Sequence, residues 1–102
     1  MYKVVVAPVT SDMLTEYAVQ IAVDNGIECA LRLADAFDEA VESLRELPQR
    51  GVRNLSYIPA RYHVIPFWKH LWLVYQIQLK EHTVYMDYLI DDRSDYGRLF
   101  QQ

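Results

Sequence analysis

The sequence is short of the features that would tie it to several large classes of protein. It has one cysteine, Cys29, so no internal disulfide can form, and no CxxC or Cys/His spacing marks a zinc site. Its longest apolar runs, such as Val4 to Val9, are far too short to span a bilayer. No signal-peptide pattern opens it, and no internal repeat, low-complexity segment or domain linker interrupts it. A basic excess is missing too: ten Lys and Arg stand against fourteen Asp and Glu, a net charge of −4. A protein that grips nucleic acid over a broad surface carries the opposite sign, so any such contact has to be local. With 52% apolar and 24% charged residues, these absences leave one ordinary globular domain over residues 1–102, expected in the cytoplasm without metal or cofactor.

What is present is pattern. From Leu71 to Leu79 the odd positions (Leu71, Leu73, Tyr75, Ile77, Leu79) are apolar, and the even ones turn polar at Gln76 and Gln78. Period two over nine residues marks a strand with one face on a core. Trp72 and Val74 predict that the second face is also covered near its start. Two further strand-like runs, Tyr62 to Phe67 and Thr83 to Asp91, flank this one across the short polar joints Trp68-Lys69-His70 and Lys80-Glu81-His82. Such joints predict an antiparallel meander. Pro59 and Pro66 put the first of these strands on an edge or make it irregular. In the last, Val84, Met86, Tyr88 and Ile90 alternate with Tyr85, Asp87, Leu89 and Asp91.

Upstream, Tyr2 to Val9 reads as a first strand. Thr10, Ser11 and Asp12 offer caps for a helix whose stripe is Leu14, Tyr17, Ala18, Ile21 and Ala22, stopped by Asn25-Gly26. A second helix is predicted from Ile27 to Leu47, with Ala30, Leu33, Ala34, Phe37, Ala40, Val41 and Leu44 inward and a polar set in which acids predominate. Pro48-Gln49-Arg50-Gly51 reads as a turn, and residues 52–61 as a connection with room for a short extended piece. The charge is uneven: residues 1–50 hold four Lys/Arg against nine Asp/Glu, and residues 51–102 hold six against five with all three histidines. The expected fold is α+β, in the order β-α-α-β-β-β, with a helical hairpin on a small antiparallel sheet.

That order resembles the RelE/ParE superfamily, the toxins of bacterial type II toxin–antitoxin modules. The likeness rests on Asp35 to Leu44 followed by Leu47-Pro48, on the central-strand segment Leu73-Val74-Tyr75-Gln76-Ile77, and on Ile90-Asp91-Asp92-Arg93-Ser94-Asp95-Tyr96 at the end of the last strand. The resemblance implies a toxin that inhibits growth, serves plasmid stabilisation, and is neutralised by a cognate antitoxin protein. Two branches differ in target. ParE-like members bind DNA gyrase without hydrolysis; RelE-like members cleave messenger RNA on the ribosome. In the second branch Arg93 and Tyr96 match the C-terminal arginine and tyrosine, and Arg61 and Lys69 lie where strand-borne basic residues could face the same groove. The implied catalytic set is Arg61, Arg93 and Tyr96, with arginine stabilising a phosphorane and tyrosine assisting proton transfer. In either branch, target or partner contacts fall on Trp68, Lys69, Trp72, Arg93 and Arg98. Asp91, Asp92 and Asp95 around Arg93 would repel a phosphate, which weighs toward the gyrase-binding branch.

Blander readings stand beside these. Arg93 is either a target contact or one half of an ion pair. Tyr96 either works at a site or packs under the C-terminal turn, and Arg61 and Lys69 are either functional cations or solvated strand-end charges. His63, His70 and His82 have no nucleophile beside them. The many aromatic rings, among them Tyr57, Tyr62 and Tyr85, either meet a protein partner (an antitoxin, or a second copy in a homodimer) or cover the sheet face away from the helices. A small interaction module outside the toxin class is the remaining alternative.

Overall fold

A computed structural model describes residues 1–49 and 55–100. The turn expected at Pro48-Gly51 and the extended piece expected within 52–61 fall partly outside them. The described elements are β1 (Lys3–Val6), α1 (Pro8–Asn25), α2 (Ile27–Glu46), β2 (His63–Trp68), β3 (Leu71–Gln78) and β4 (Thr83–Asp91), then a 3-10 helix over Tyr96–Phe100. This is the expected α+β order. None of the described helices is long and apolar enough to cross a membrane.

The first helix begins earlier than its Thr10-Ser11-Asp12 signal predicts. Ala7 is the extended N-cap residue and Pro8 sits in the first turn, where a missing N–H costs nothing. The preceding strand is correspondingly short. Thr10 is turned inward instead: it is fully buried, and its hydroxyl donates to the Met86 carbonyl at 3.2 Å. Gly26, at φ 95°, closes α1 and opens α2, a conformation that glycine adopts without strain. The stop read from Asn25-Gly26 therefore falls where expected. At the far end of α2, the buried Tyr75 of β3 donates its hydroxyl to the Pro48 carbonyl at 2.7 Å and anchors the chain after the helix.

The sheet order is β1-β4-β3-β2. β2, β3 and β4 form the antiparallel meander, but β1 pairs parallel with β4, so the sheet is mixed rather than wholly antiparallel. Two reversals make β2 and β4 co-directional, and the helical hairpin is a crossover long enough to bring β1 into that same direction. β2 lies on the edge, as Pro66 predicts, and its register shifts between Pro66 and Trp68.

The odd residues of β3 do face the helices: Leu71, Leu73 and Tyr75 share a core with Leu33, Phe37 and Leu44 of α2, and Tyr17, Ala18 and Ile21 of α1 pack against it. Trp72 and Val74 point the other way, into a second core with Val64 and Ile90. Leu55, Ile58, Tyr62, Tyr88, Tyr96 and Phe100 pack against that second core, so both faces of the central strand are buried from Leu71 to Tyr75. Much of the aromatic content is spent here.

One correction concerns β4. Its pairing with β3 runs Val74↔Tyr88 and then Tyr75↔Met86, leaving Asp87 as an extra residue whose carboxylate accepts from the Gln76 amide at 2.7 Å. A bulge reverses the alternation beyond it. Val84 and Met86 face the helices, but so does Leu89, while Ile90 joins the opposite core. The simple even/odd reading therefore fails after Met86. Asp91 follows Leu89 to the helical side, and the candidate site depends on that.

Candidate functional site

The end of β4 opens into a cleft of about 390 Å³ beneath the C-terminal half of α1. Tyr17, Asp24 and Cys29 line it from the helices; Trp68, Lys69 and His70 line it from the β2–β3 hairpin; Asp91 and Arg93 close its floor. Lys69 takes a left-handed φ of 45° in the two-residue turn, and its ammonium lies 5.6 Å from the centre of the Trp68 ring. The structure thus brings together three of the residues singled out from sequence as target or partner contacts: Trp68, Lys69 and Arg93.

Asp91 and Arg93 form a tight unit. The Asp91 carboxylate accepts from Arg93 Nε at 3.1 Å, from its terminal nitrogen at 2.8 Å and from its backbone N–H at 2.9 Å. Ser94 donates its hydroxyl to the Asp91 carbonyl at 2.6 Å and fixes the turn. The Asp91 side chain is only 11% exposed, whereas that of Arg93 is 66% exposed. Hydrogen bonds from Arg93 outweigh burial and hold the Asp91 carboxyl below its ordinary value; the same pairing raises the Arg93 guanidinium. Tyr17 is pushed up, first by burial and then by the nearby Asp91 charge, with Arg93 acting against it. Its phenol is therefore protonated at neutral pH, a form that can donate a hydrogen bond but not accept a proton as a base.

Asp92 turns to the other side of the sheet. Its carboxylate accepts from the Trp72 indole at 3.0 Å and lies 3.0 Å from His70 Nδ1. The indole bond, then the His70 contact, lower its pKa against an opposing desolvation. A linkage consequence follows from Asp91. Its carboxyl is depressed on folding, so its contribution is fully present above the unfolded carboxylate value of about 3.9 and disappears as pH falls through the lower native value. Urea midpoints recorded against pH should drop below about pH 4. That drop should shrink in Asp91→Asn, which also loses about 1–3 kcal/mol at neutral pH through its weakened bonds to Arg93. An unchanged acid limb would assign the acid sensitivity to other carboxylates.

The remaining candidates lie elsewhere. Trp72, expected as a surface contact, is 1% exposed, because β3 is covered on both faces and the ring fills the second core. Arg61 lies over the Tyr62 ring at 4.8 Å from its centre, beside that same second core. Tyr96 packs into it as well, which is the bland reading offered for it. Arg61 and Tyr96 therefore belong to one face of the sheet, and the Arg93 guanidinium to the cleft on the other. Arg98 pairs with Asp95 at 3.1 Å, both well exposed. His63 stacks on Tyr75 and His82 on Tyr2, so two of the three histidines are packing groups. Among the described residues, no group of three or more His, Cys, Asp or Glu is placed to hold a metal ion.

Sequence reasoning did not find Tyr17 as a cleft residue or Asp91 as its floor. The sequence carried no clear signal of that placement: Tyr88-Leu89-Ile90 is apolar three times running, but so is Leu71 to Tyr75, and both runs alternate between two covered faces.

No family model and no curated protein matches the sequence. The fold does match solved chains, among them one described as "Chromosomal ParDE TA system from P. aeruginosa". That chain aligns with a TM-score of 0.74 and 14% sequence identity, over 89% of this chain and 96% of its own length. At that identity the likeness establishes a shared fold.

Proposed function

We propose that this chain is the toxin of a type II toxin–antitoxin pair, acting in the cytoplasm by binding its target, DNA gyrase, until a cognate antitoxin occludes it. The observation that carries the reading is the strand-helix-helix-strands fold with its mixed sheet, shared along nearly the whole chain with a ParDE-system chain. The target meets the cleft at the end of β4. Trp68 offers a half-buried ring, Lys69 a charge, and Arg93 the outer edge of a guanidinium whose inner edge is held by Asp91.

Binding is favoured over cleavage by one geometric point. A ribonuclease of this type needs Arg61, Arg93 and Tyr96 around one phosphate, yet Arg93 projects from the face opposite the other two. Its charge is also already offset by Asp91. A guanidinium so paired has less field to spend on a developing phosphorane.

The test is induced expression in a bacterium lacking the antitoxin, with DNA and protein synthesis followed by pulse labelling in one culture. DNA synthesis is expected to stop first, with induction of the SOS response. If protein synthesis stops first and messenger RNA is cut, the ribosome-dependent nuclease is correct. Unimpaired growth overturns the toxin reading and leaves an interaction module.

A further inference from the structure

α1 is an unusual surface helix. One side packs into the core through Met13, Leu14, Tyr17, Ala18 and Ile21, yet among the polar residues of its solvent side Val19 is 59% exposed and Val23 76%. The strip continues across Gly26 into α2, where Ile27 is 69% exposed and Leu31 59%. The sheet covers the inner side of the hairpin and leaves this outer apolar strip open, and a contiguous exposed apolar strip marks a surface for a partner. Between the helices runs a groove of about 370 Å³ floored by Ala18, Ala22, Ala30 and Ala34 and edged by Val19 and Ile27. Alanines along a floor let another backbone come close, at the 8–10 Å or so typical of packed helices.

The rim of this groove is mostly acidic, with Arg32 the basic side chain that helical spacing puts beside Glu28 and Asp35. By helical spacing, Asp12 and Glu16 flank Val19 and Val23 on α1, while Glu28, Asp35 and Asp38 flank Ile27 and Leu31 on α2. All five are exposed, and none takes part in an ion pair among the described residues. Several sit in like-charge pairs four apart, such as Asp12 with Glu16 and Asp38 with Glu42, an arrangement that costs an isolated helix a few tenths of a kcal/mol per pair. Over residues 8–46 nine acids stand against two bases, a net −7 in a chain whose total is −4.

We infer that the outer face of the α1–α2 hairpin is a docking groove for a basic amphipathic helix of a protein partner. The alanine floor admits a helix; the Val19, Val23, Ile27 and Leu31 edges take its apolar anchors, recurring every three or four residues; the acidic rim takes flanking Lys and Arg. From Leu14 to Val23 the groove runs about 14 Å at ~1.5 Å per residue, room for roughly ten residues of helix. The charge excludes other occupants. Two copies of this face would bring two acidic rims together on hairpins that each carry a net −7 over residues 8–46, and anionic lipid or nucleic acid would be repelled. The inference stands on this surface alone, so a chain that proved non-toxic would leave it untouched.

The probe is a synthetic helical peptide of about 18 residues with Leu at i, i+3, i+4 and i+7 and Lys/Arg on the flanks, beside a twin with Glu at every basic position. Binding to the full chain is read by fluorescence anisotropy. The basic peptide is expected to bind, more weakly as salt rises, and the acidic twin about tenfold or more less tightly. Val19→Ser with Ile27→Ser should weaken the basic peptide by about tenfold without lowering the thermal midpoint, since both side chains are exposed. Asp35→Lys with Asp38→Lys should move the preference toward the acidic twin. Equal binding of both peptides, or binding indifferent to the Val19 and Ile27 changes, overturns the proposal. So does a homodimer that those two changes dissociate, because the occupant would then be a second copy.

Discussion

Trp72→Ala is expected to remove about 3–5 kcal/mol of unfolding free energy, the range for truncating a large buried aromatic. A domain of this size commonly has only about 5–15 kcal/mol in total, so the variant should be largely unfolded at modest urea and growth temperature. The effect has two parts. The ring fills the core between the sheet and the segments that close over it, and its loss opens a cavity among Val64, Val74 and Ile90. The indole N–H also holds Asp92 at 3.0 Å, and with it the start of the C-terminal turn. Trp72→Phe separates the two, because it restores most of the volume and none of the hydrogen bond. Chemical denaturation of both variants checks this. A stable Trp72→Ala protein would mean that the outer core is dispensable, and Trp72 would return as a candidate contact residue.

Arg93→Ala should abolish growth inhibition, and it should also lower stability, since a buried carboxylate at Asp91 would lose its partner. Loss of toxicity by the single variant is therefore ambiguous. Arg93→Ala combined with Asp91→Asn resolves it. The double variant has no orphaned charge, so it should regain thermal stability relative to Arg93→Ala while remaining non-toxic. Growth on induction, beside thermal midpoints of the purified proteins, gives both readouts. A double variant that regains toxicity would reduce Arg93 to a structural counter-ion of Asp91. Arg93→Lys adds a graded point: it keeps the charge, cannot reproduce the two-pronged bond, and should fall between wild type and alanine in stability.

The two aspartates at the end of β4 show why local sequence carries limited information about function. Asp91 and Asp92 are adjacent, similar in composition, and read alike as charges near Arg93. In the folded chain one faces the helices and fixes a guanidinium, while the other faces the second core and fixes an indole and an imidazole. The extra residue at Asp87 decides which does which. Nothing within five residues of Asp91 announces that choice, since the apolar triplet before it fits two covered faces with or without a bulge.

Element order, helix limits near Gly26 and Pro48, the edge position of β2 and the two-sided burial of β3 were determined by the sequence itself. Each rests on a local property: a glycine able to take φ 95°, a proline unable to donate, or an apolar period matched to a backbone period. Tertiary structure alone decided the rest: the parallel pairing of β1 with β4, the retreat of Trp72 into a second core, and the separation of Arg93 from Arg61 and Tyr96 across the sheet. These depend on which distant segments close over which face, and no periodicity within one strand encodes that. The outer apolar strip of α1 lies between the two cases. Val19 and Val23 are plain in the sequence, but only the packed hairpin leaves them on the surface, beside an acidic rim that selects a basic partner.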